Sequence, residues 1–292
     1  MLMVKDLYMQ LSESVSIAHC DSDLEYLDID SPLCQARIFL QGAQLTQYTP
    51  AGGKPLIWVS QEEDFQVGKS IRGGIPICWP WFGVHQNPQW PIHGLARVSL
   101  WRAEEIKETE DEIRISLTLP MAQVDETYWP HKTKLHVEYV LSAKQLEVRL
   151  TNTNVDNHEV QLTQALHTYF PTPDITQTEV DGLQGSQYIE FGEGPFEQTD
   201  VVRFGRETDM VYSDVSELQR IRTPDGTIEV GRENSRSCVL WNPWVDKSKR
   251  LSNFADDEYH TMLCLEAANV LDDKVTLAPG DSHTLATIIR WG

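Results

Sequence analysis

Alternation of apolar and polar residues is the feature that most limits what this chain can become. Ile113, Ile115, Leu117 and Leu119 fall at every second position, as do Leu135, Val137, Tyr139 and Leu141, then Leu146, Val148 and Leu150. A period of two sends successive side chains to opposite faces, so each run reads as a strand with one face toward a core. Further strands are predicted over 36–40, 44–49, 56–59, 98–104, 160–168, 187–190, 227–230, 237–241, 262–267 and 283–290. Turn-forming pieces such as Pro50-Ala51-Gly52-Gly53, Pro224-Asp225-Gly226 and Ala278-Pro279-Gly280 separate them. Helical periodicity is confined to short turns at 6–12, 121–127 and 215–219. Many strands with few short helices predict an all-β chain, a sandwich or a barrel. No composition shift, linker or repeat divides the 292 residues, so one domain over 1–292 is expected.

The charge balance narrows the partners. Lys and Arg number 24 against 44 Asp and Glu, a formal net charge of −20. Such a surface repels nucleic acid and anionic membranes, so neither is an expected partner. An anionic small molecule would meet the same repulsion and would need a few well-placed arginines. No apolar run approaches the roughly 18 residues of a membrane-spanning helix. The first residues, Met1-Leu2-Met3-Val4-Lys5-Asp6, lack the basic head and apolar stretch of a secretory signal. The five cysteines, Cys20, Cys34, Cys78, Cys238 and Cys264, are scattered and spell neither a disulfide framework nor a zinc spacing. A reduced, cytoplasmic protein is the expectation.

Residues 71–83 read Ile-Arg-Gly-Gly-Ile-Pro-Ile-Cys-Trp-Pro-Trp-Phe-Gly. Gly73 and Gly74 can take backbone angles closed to other residues and let a ligand approach the main chain. The prolines stop a helix or a central strand. Trp79 and Trp81 offer flat faces suited to a sugar ring as well as to a core. Soon after comes His93-Gly94-Leu95-Ala96-Arg97, again a cation near a flexible glycine. The pattern suits a site for a small polar anion, and equally a rigid turn with Arg72 pointing at water.

Two polar residues interrupt strands that otherwise read as buried. Glu266 sits in Met262-Leu263-Cys264-Leu265-Glu266-Ala267-Ala268, where a carboxylate is costly unless paired. Perturbed carboxylates cluster in active sites, while a structural salt bridge is the plainer account. His167 closes an apolar strand ahead of Thr168, Tyr169 and Phe170, and histidine is the side chain best suited to move protons near neutral pH. Together they supply what a reaction moving two protons needs. Asp209 could accept bonds from sugar hydroxyls or lie in a surface turn. Trp241-Asn242-Pro243-Trp244, followed by Lys247, Lys249 and Arg250, could frame a pocket mouth or be solvated. The chain has no Gly-x-Ser-x-Gly, no Walker-type Gly-Lys-Ser/Thr and no Gly-x-Gly-x-x-Gly, which leaves hydrolase and nucleotide readings without support. His85, His93, His131 and His136 do not stand at short metal-ligand spacing, and no metal is expected.

Taken in order, residues 71–83, 93–97, 166–170, 208–212, 241–244 and 265–270 resemble the hexose-6-phosphate mutarotases, or glucose-6-phosphate 1-epimerases, of the aldose 1-epimerase superfamily. The resemblance runs from about Ala36 to the C-terminus and leaves residues 1–30 outside it. It implies a large antiparallel β-sandwich of the galactose-mutarotase type, with the sugar on a concave sheet face. It also implies His167 as general acid and Glu266 as general base, with Arg72 and Arg97 on a phosphate. His93 would line the pocket, and Asp209 and Trp241 would bind the sugar. Many relatives carry a glutamine immediately before the histidine of His-Gly-x-Ala-Arg, where this chain has Ile92, so any ligand bond made by that glutamine is lost. The implied reaction interconverts the α and β anomers of a hexose 6-phosphate. It calls for no cofactor, because a hemiacetal opens by proton movement alone. The alternatives are an epimerase of unphosphorylated aldoses and a non-catalytic carbohydrate-binding module.

Overall fold

The structure, a computed structural model, describes residues 11–292. The alternating runs form the strands Glu112–Leu119, Thr133–Ser142 and Leu146–Asn154, which lie side by side in a nine-stranded sheet. From one edge to the other this sheet runs Val202–Arg203, Glu179–Asp181, Leu218–Thr223, Gly226–Glu233, Ser282–Trp291, Leu146–Asn154, Thr133–Ser142, Glu112–Leu119 and Arg102–Glu108. Glu112–Leu119 and Leu146–Asn154 bury every second residue, so one face is packed and the other is wet. The wet face carries cross-strand ion pairs such as Arg114 to Glu138 at 3.3 Å and Arg290 to Glu229 at 2.7 Å. Exposed pairs of this kind each contribute little.

An eight-stranded sheet lies across the core. Its path is Glu193–Glu197, Gln187–Glu190, Thr208–Ser213, Ser237–Asn242, Met262–Asn269, Gln164–Leu166 and Ile77–Cys78, with Tyr169–Pro171 also pairing to Met262–Asn269. All the paired strands are antiparallel, including the four-stranded sheet Val15–His19, Glu25–Asp30, Cys34–Phe39 and Gln44–Pro50 and the pair of Val160–Leu162 with Val275–Leu277. Leu240, Leu263 and Leu265 from the eight-stranded sheet share one core with Leu117, Val137, Val148 and Leu285 from the nine-stranded sheet. The protein is therefore a large antiparallel β-sandwich, one of the two all-β architectures the alternation predicts and the one the resemblance implies.

The central strands Ser237–Asn242 and Met262–Asn269 are buried at every position. One face meets the sandwich core. The other carries a small separate apolar cluster of Cys78, Ala165, Val239, Ala268 and Val270. That second face floors the candidate site. Leu265→Ala, at a position with no exposed surface, is expected to cost about 2–5 kcal/mol. Urea unfolding would show it as a lower midpoint at unchanged slope, and a negligible shift would contradict tight packing between the sheets there.

Several local expectations change in the folded chain. Residues 56–59 form no strand and touch the neighbouring segment through one bridge, Val59 to Gly73. The segment 98–104 begins in a 3₁₀ turn, Ala96–Val98, and becomes a strand only at Arg102. The run 160–168 divides between two sheets, because Val160–Leu162 pairs away from the strand that follows. Residues 215–219 hold no helical turn; Leu218 and Gln219 open the strand Leu218–Thr223, where pairing with Gly226–Glu233 outweighs the local pattern. The turn expected at 121–127 is the 3₁₀ piece Met121–Gln123. Most of the one expected at 6–12 lies outside the described residues, and Leu11 and Ser12 are irregular. Among the described residues no helix is long and apolar enough to cross a membrane.

Candidate active site

Register brings the histidine and the glutamate together. In the antiparallel pairing of Gln164–Leu166 with Met262–Asn269, Gln164 faces Asn269, Ala165 faces Ala268 and Leu166 faces Ala267. Beyond a break, Tyr169 faces Cys264. The same count places His167 opposite Glu266, and directly opposed residues share a sheet face. A buried amide contact supports this register. Gln164 Nε2 donates to Asn269 Oδ1 at 2.9 Å, and Asn152 Nδ2 from the facing sheet donates to Gln164 Oε1 at 2.5 Å. At the break, the His167 N–H donates to the Pro76 carbonyl at 3.0 Å and the Thr168 N–H to the Leu166 carbonyl at 2.9 Å. His167 Nδ1 then stands 3.4 Å from Glu266 Oε1.

The same rule of opposition assembles the rest of the floor. Asp209 faces Trp241, and Val211 faces Val239, which in turn faces Glu266. Asp209, Trp241 and Glu266 therefore look the same way from three adjacent strands. The loops complete the walls. Gly73 has φ +120°, and a Cβ there would lie 2.4 Å from the Val59 Cα, so only glycine lets residue 72 emerge where it does. Gly94, at φ +75°, passes so close to the Trp79 carbonyl that a Cβ would sit 2.1 Å from its oxygen. The glycines at 73 and 74 thus admit neighbouring backbone rather than ligand.

The seven side chains singled out by sequence, Arg72, His93, Arg97, His167, Asp209, Trp241 and Glu266, all line one cleft of about 420 Å³. Trp79 and Trp81 do not. Trp79 is fully buried against Trp129, and the Trp81 indole donates to the Pro91 carbonyl at 2.8 Å. The aromatic surface of the cleft comes instead from Trp241, Tyr169 and Phe82. Tyr169 stacks on the His167 ring at 5.0 Å and 11°. It occurs two residues after His167, so period two could have marked it. Lys247 also lines the cleft, on the short helix Trp244–Ser248 rather than in a loop. Its Nζ lies 3.1 Å from Glu207 and 3.5 Å from Asp209. Nothing local in the sequence joins Lys247 to Asp209.

Electrostatics in the cleft disfavour isolated charge on the central pair. Burial, with the nearby Asp209 charge adding to it, pushes the Glu266 carboxyl well above its ordinary value of 4.5. Burial, reinforced by the positive Arg97 and Arg72, lowers His167 from 6.5 to about 3. Both shifts favour the uncharged forms, neutral imidazole facing carboxylic acid. The imidazolium–carboxylate form implied by the resemblance holds the same number of protons and differs only in which partner carries one of them. His93 is likewise held neutral, mainly by burial and then by His167 and the two arginines. Its Nδ1 accepts the Gly83 N–H at 3.1 Å, so the ring proton sits on Nε2.

The arginines are the site's unmatched charges. Among the described residues neither the Arg72 nor the Arg97 guanidinium forms an ion pair within 4.0 Å, although the Arg72 backbone N–H donates to Glu63 Oε2 at 2.6 Å, whereas most arginines on the outer faces are paired. Arg72 reaches the Tyr169 hydroxyl at 3.4 Å, and its Nε is buried with no hydrogen-bond partner. Arg97 Nη2 donates to the Ile92 carbonyl at 2.6 Å. The Ile92 side chain is 51 % exposed. Among the described residues, the His/Cys/Asp/Glu group close enough to hold a metal ion is His131, Asp156 and His158, none of which lines the cleft.

Comparison with known proteins identifies the family. The family described as aldose 1-epimerase matches residues 26–290. A relative from Escherichia coli (strain K12), provisionally named glucose-6-phosphate 1-epimerase, is 31% identical over 287 residues, covering 96% of this chain and 95% of its own. A relative of the same provisional name from Cenchrus ciliaris is 35% identical over 263 residues, covering 85% and 78%. A crystal structure of a provisionally named mutarotase from Salmonella typhimurium superposes with a TM-score of 0.89 at 28% identity, covering 98% of both chains. A galactose mutarotase-like protein from Lactobacillus casei shares the fold at a TM-score of 0.68 and 16% identity, covering 91% of this chain and 100% of its own. The chain belongs to the aldose 1-epimerase family and is an isomerase of the mutarotase type.

Proposed function

We propose that the protein interconverts the α and β anomers of a hexose 6-phosphate, with glucose 6-phosphate the leading candidate. The observation that carries the phosphate is the pair of cleft arginines without carboxylate partners in a chain of net charge −20. Most arginines of this acid-rich chain pair with a carboxylate, so two guanidinium groups left unpaired in one cleft suit an added anion. Guanidinium–phosphate contacts are among the stronger hydrogen bonds proteins make.

In the proposed reaction Glu266 takes the proton from the C1 hydroxyl and His167 gives one to the ring oxygen. The C1–O5 bond opens to an aldehyde, rotation about C1–C2 presents the other carbonyl face, and closure reverses both transfers. A phosphate near Arg72 and Arg97 would offset the positive field that helps keep His167 neutral, favouring the charged imidazole needed as acid. Asp209, held by Lys247, and Nε2 of His93 offer an acceptor and a donor to sugar hydroxyls. The reading places the enzyme in a reducing cytoplasm, which the five free cysteines support.

Exchange NMR on equilibrated sugars tests this directly. Acceleration of anomer exchange should be far greater per unit concentration for glucose 6-phosphate than for glucose. Equal efficiency on both would remove the phosphate, and no acceleration of either would leave only a carbohydrate-binding role.

A further inference from the structure

Away from the cleft, two turns bring together side chains that the sugar chemistry does not use. His131 precedes the strand Thr133–Ser142, and Asp156 and His158 follow Leu146–Asn154. His131 Nδ1 lies 3.1 Å from His158 Nε2, and His158 Nδ1 lies 3.3 Å from Asp156 Oδ1. The backbone fixes the arrangement. The Val155 N–H donates to the Lys132 carbonyl at 3.0 Å, while Asp156 accepts from the Lys132 N–H at 3.0 Å and the Asn157 N–H at 2.8 Å. Trp129 packs edge-on against the His131 ring at 4.6 Å.

Two imidazole nitrogens bound to one tetrahedral ion at about 2.0–2.1 Å stand roughly 3.3 Å apart. The separation found here needs almost no adjustment to admit one. We propose that His131 and His158 form a binding site for a divalent late transition ion such as zinc, nickel or copper. Asn157 Oδ1, 3.1 Å away, takes the Nδ1–H of His158, with the Asp156 carboxylate 3.3 Å from the same nitrogen, which leaves the Nε2 lone pair facing the ion. Imidazole suits these metals, and a carboxylate behind a ligating histidine is the usual orienting partner. Water fills the remaining positions, and the His158 side chain, 53 % exposed, leaves a route from solvent. On binding, the ion replaces the single proton that the two rings share. It then ties the two turns together. This site is independent of the mutarotase reading.

The test uses the full chain without an added histidine tag, stripped with EDTA and dialysed. Nickel chloride and zinc chloride are titrated by calorimetry, with tryptophan fluorescence followed in the nickel series because Trp129 touches His131. One ion per chain is expected, with a metal-dependent rise in melting temperature. His131→Ala and His158→Ala should each abolish the one-to-one isotherm, and Asp156→Asn should weaken it by about 10–100-fold. His136→Ala, on the adjoining strand, should bind as the parent does. His158→Gln, at an exposed position, keeps the test valid if His131→Ala fails to fold. No saturable binding by the parent, or parent-like binding by the histidine variants, would overturn the site.

Discussion

Glu266→Gln should lower kcat for anomer exchange by about 10²–10⁴-fold, the usual loss when a positioned acid–base group is removed. Glutamine keeps the shape and fills the same buried space but can take up no proton. The same change should stabilise the fold as pH rises. Glu266 is held well above 4.5 in the folded protein, so above 4.5 the folded state binds a proton that the unfolded chain has released. Stability drawn from the protonated carboxyl is therefore complete at low pH and lost as pH rises toward the folded value. The glutamine variant has no such loss. His167 acts in the opposite sense: its value of about 3 against 6.5 makes stability rise with pH between those limits. Urea unfolding at pH 5 and pH 8, beside exchange NMR at both, measures the two effects together. If the variant kept parental turnover, Glu266 would be a structural carboxyl and the proton-transfer assignment would fall. If turnover dropped without relative stabilisation at pH 8, the carboxyl would ionise more readily than its burial implies.

Arg72→Ala is expected to raise KM for glucose 6-phosphate by about 10–150-fold, the equivalent of roughly 1.5–3 kcal/mol for a hydrogen bond to a charged group. Turnover at saturation should change much less, because the phosphate is the same in ground and transition states. The variant should also fold. The Arg72 guanidinium has no carboxylate partner within 4.0 Å among the described residues, the backbone N–H that donates to Glu63 at 2.6 Å is kept in the variant, and the 3.4 Å contact to the Tyr169 hydroxyl is weak. Arg72→Lys should fall between, since a lysine is a point charge without the guanidinium fork. The control is unphosphorylated glucose, whose KM should not rise. Equal losses on both sugars would show that Arg72 shapes the cleft instead of holding a phosphate.

Strands whose one face is wet were plain in the sequence. The run at Glu112–Leu119 alternates because its exposed side chains stay polar. The structure extends such runs by one to four residues at their ends, where pairing partners continue. Short strands gave no such signal. Ile77–Cys78 and Glu193–Glu197 have too few residues for a period to show, and the second is exposed throughout. Leu218–Thr223 was obscured by its own local pattern, and Thr208–Ser213, which holds Asp209, reads as a turn. In each case a neighbouring strand supplied the backbone partners that the segment's own composition does not announce.

Residue chemistry singled out the imidazole, the carboxyl and the two arginines, because such groups are conspicuous within apolar or glycine-rich runs. Sequence alone determined the long half-buried strands and which polar side chains stand out, since side-chain period and burial cost act over a few neighbouring positions. Only the tertiary structure decided what meets what. Strand register set His167 against Glu266, while the short helix Trp244–Ser248 carried Lys247 to Asp209 and the segment after Cys78 turned Trp79 and Trp81 away from the cleft. The reason is physical: register depends on hydrogen bonds and packing between segments far apart in the chain, and a slip of one residue would turn every side chain of a strand to its other face.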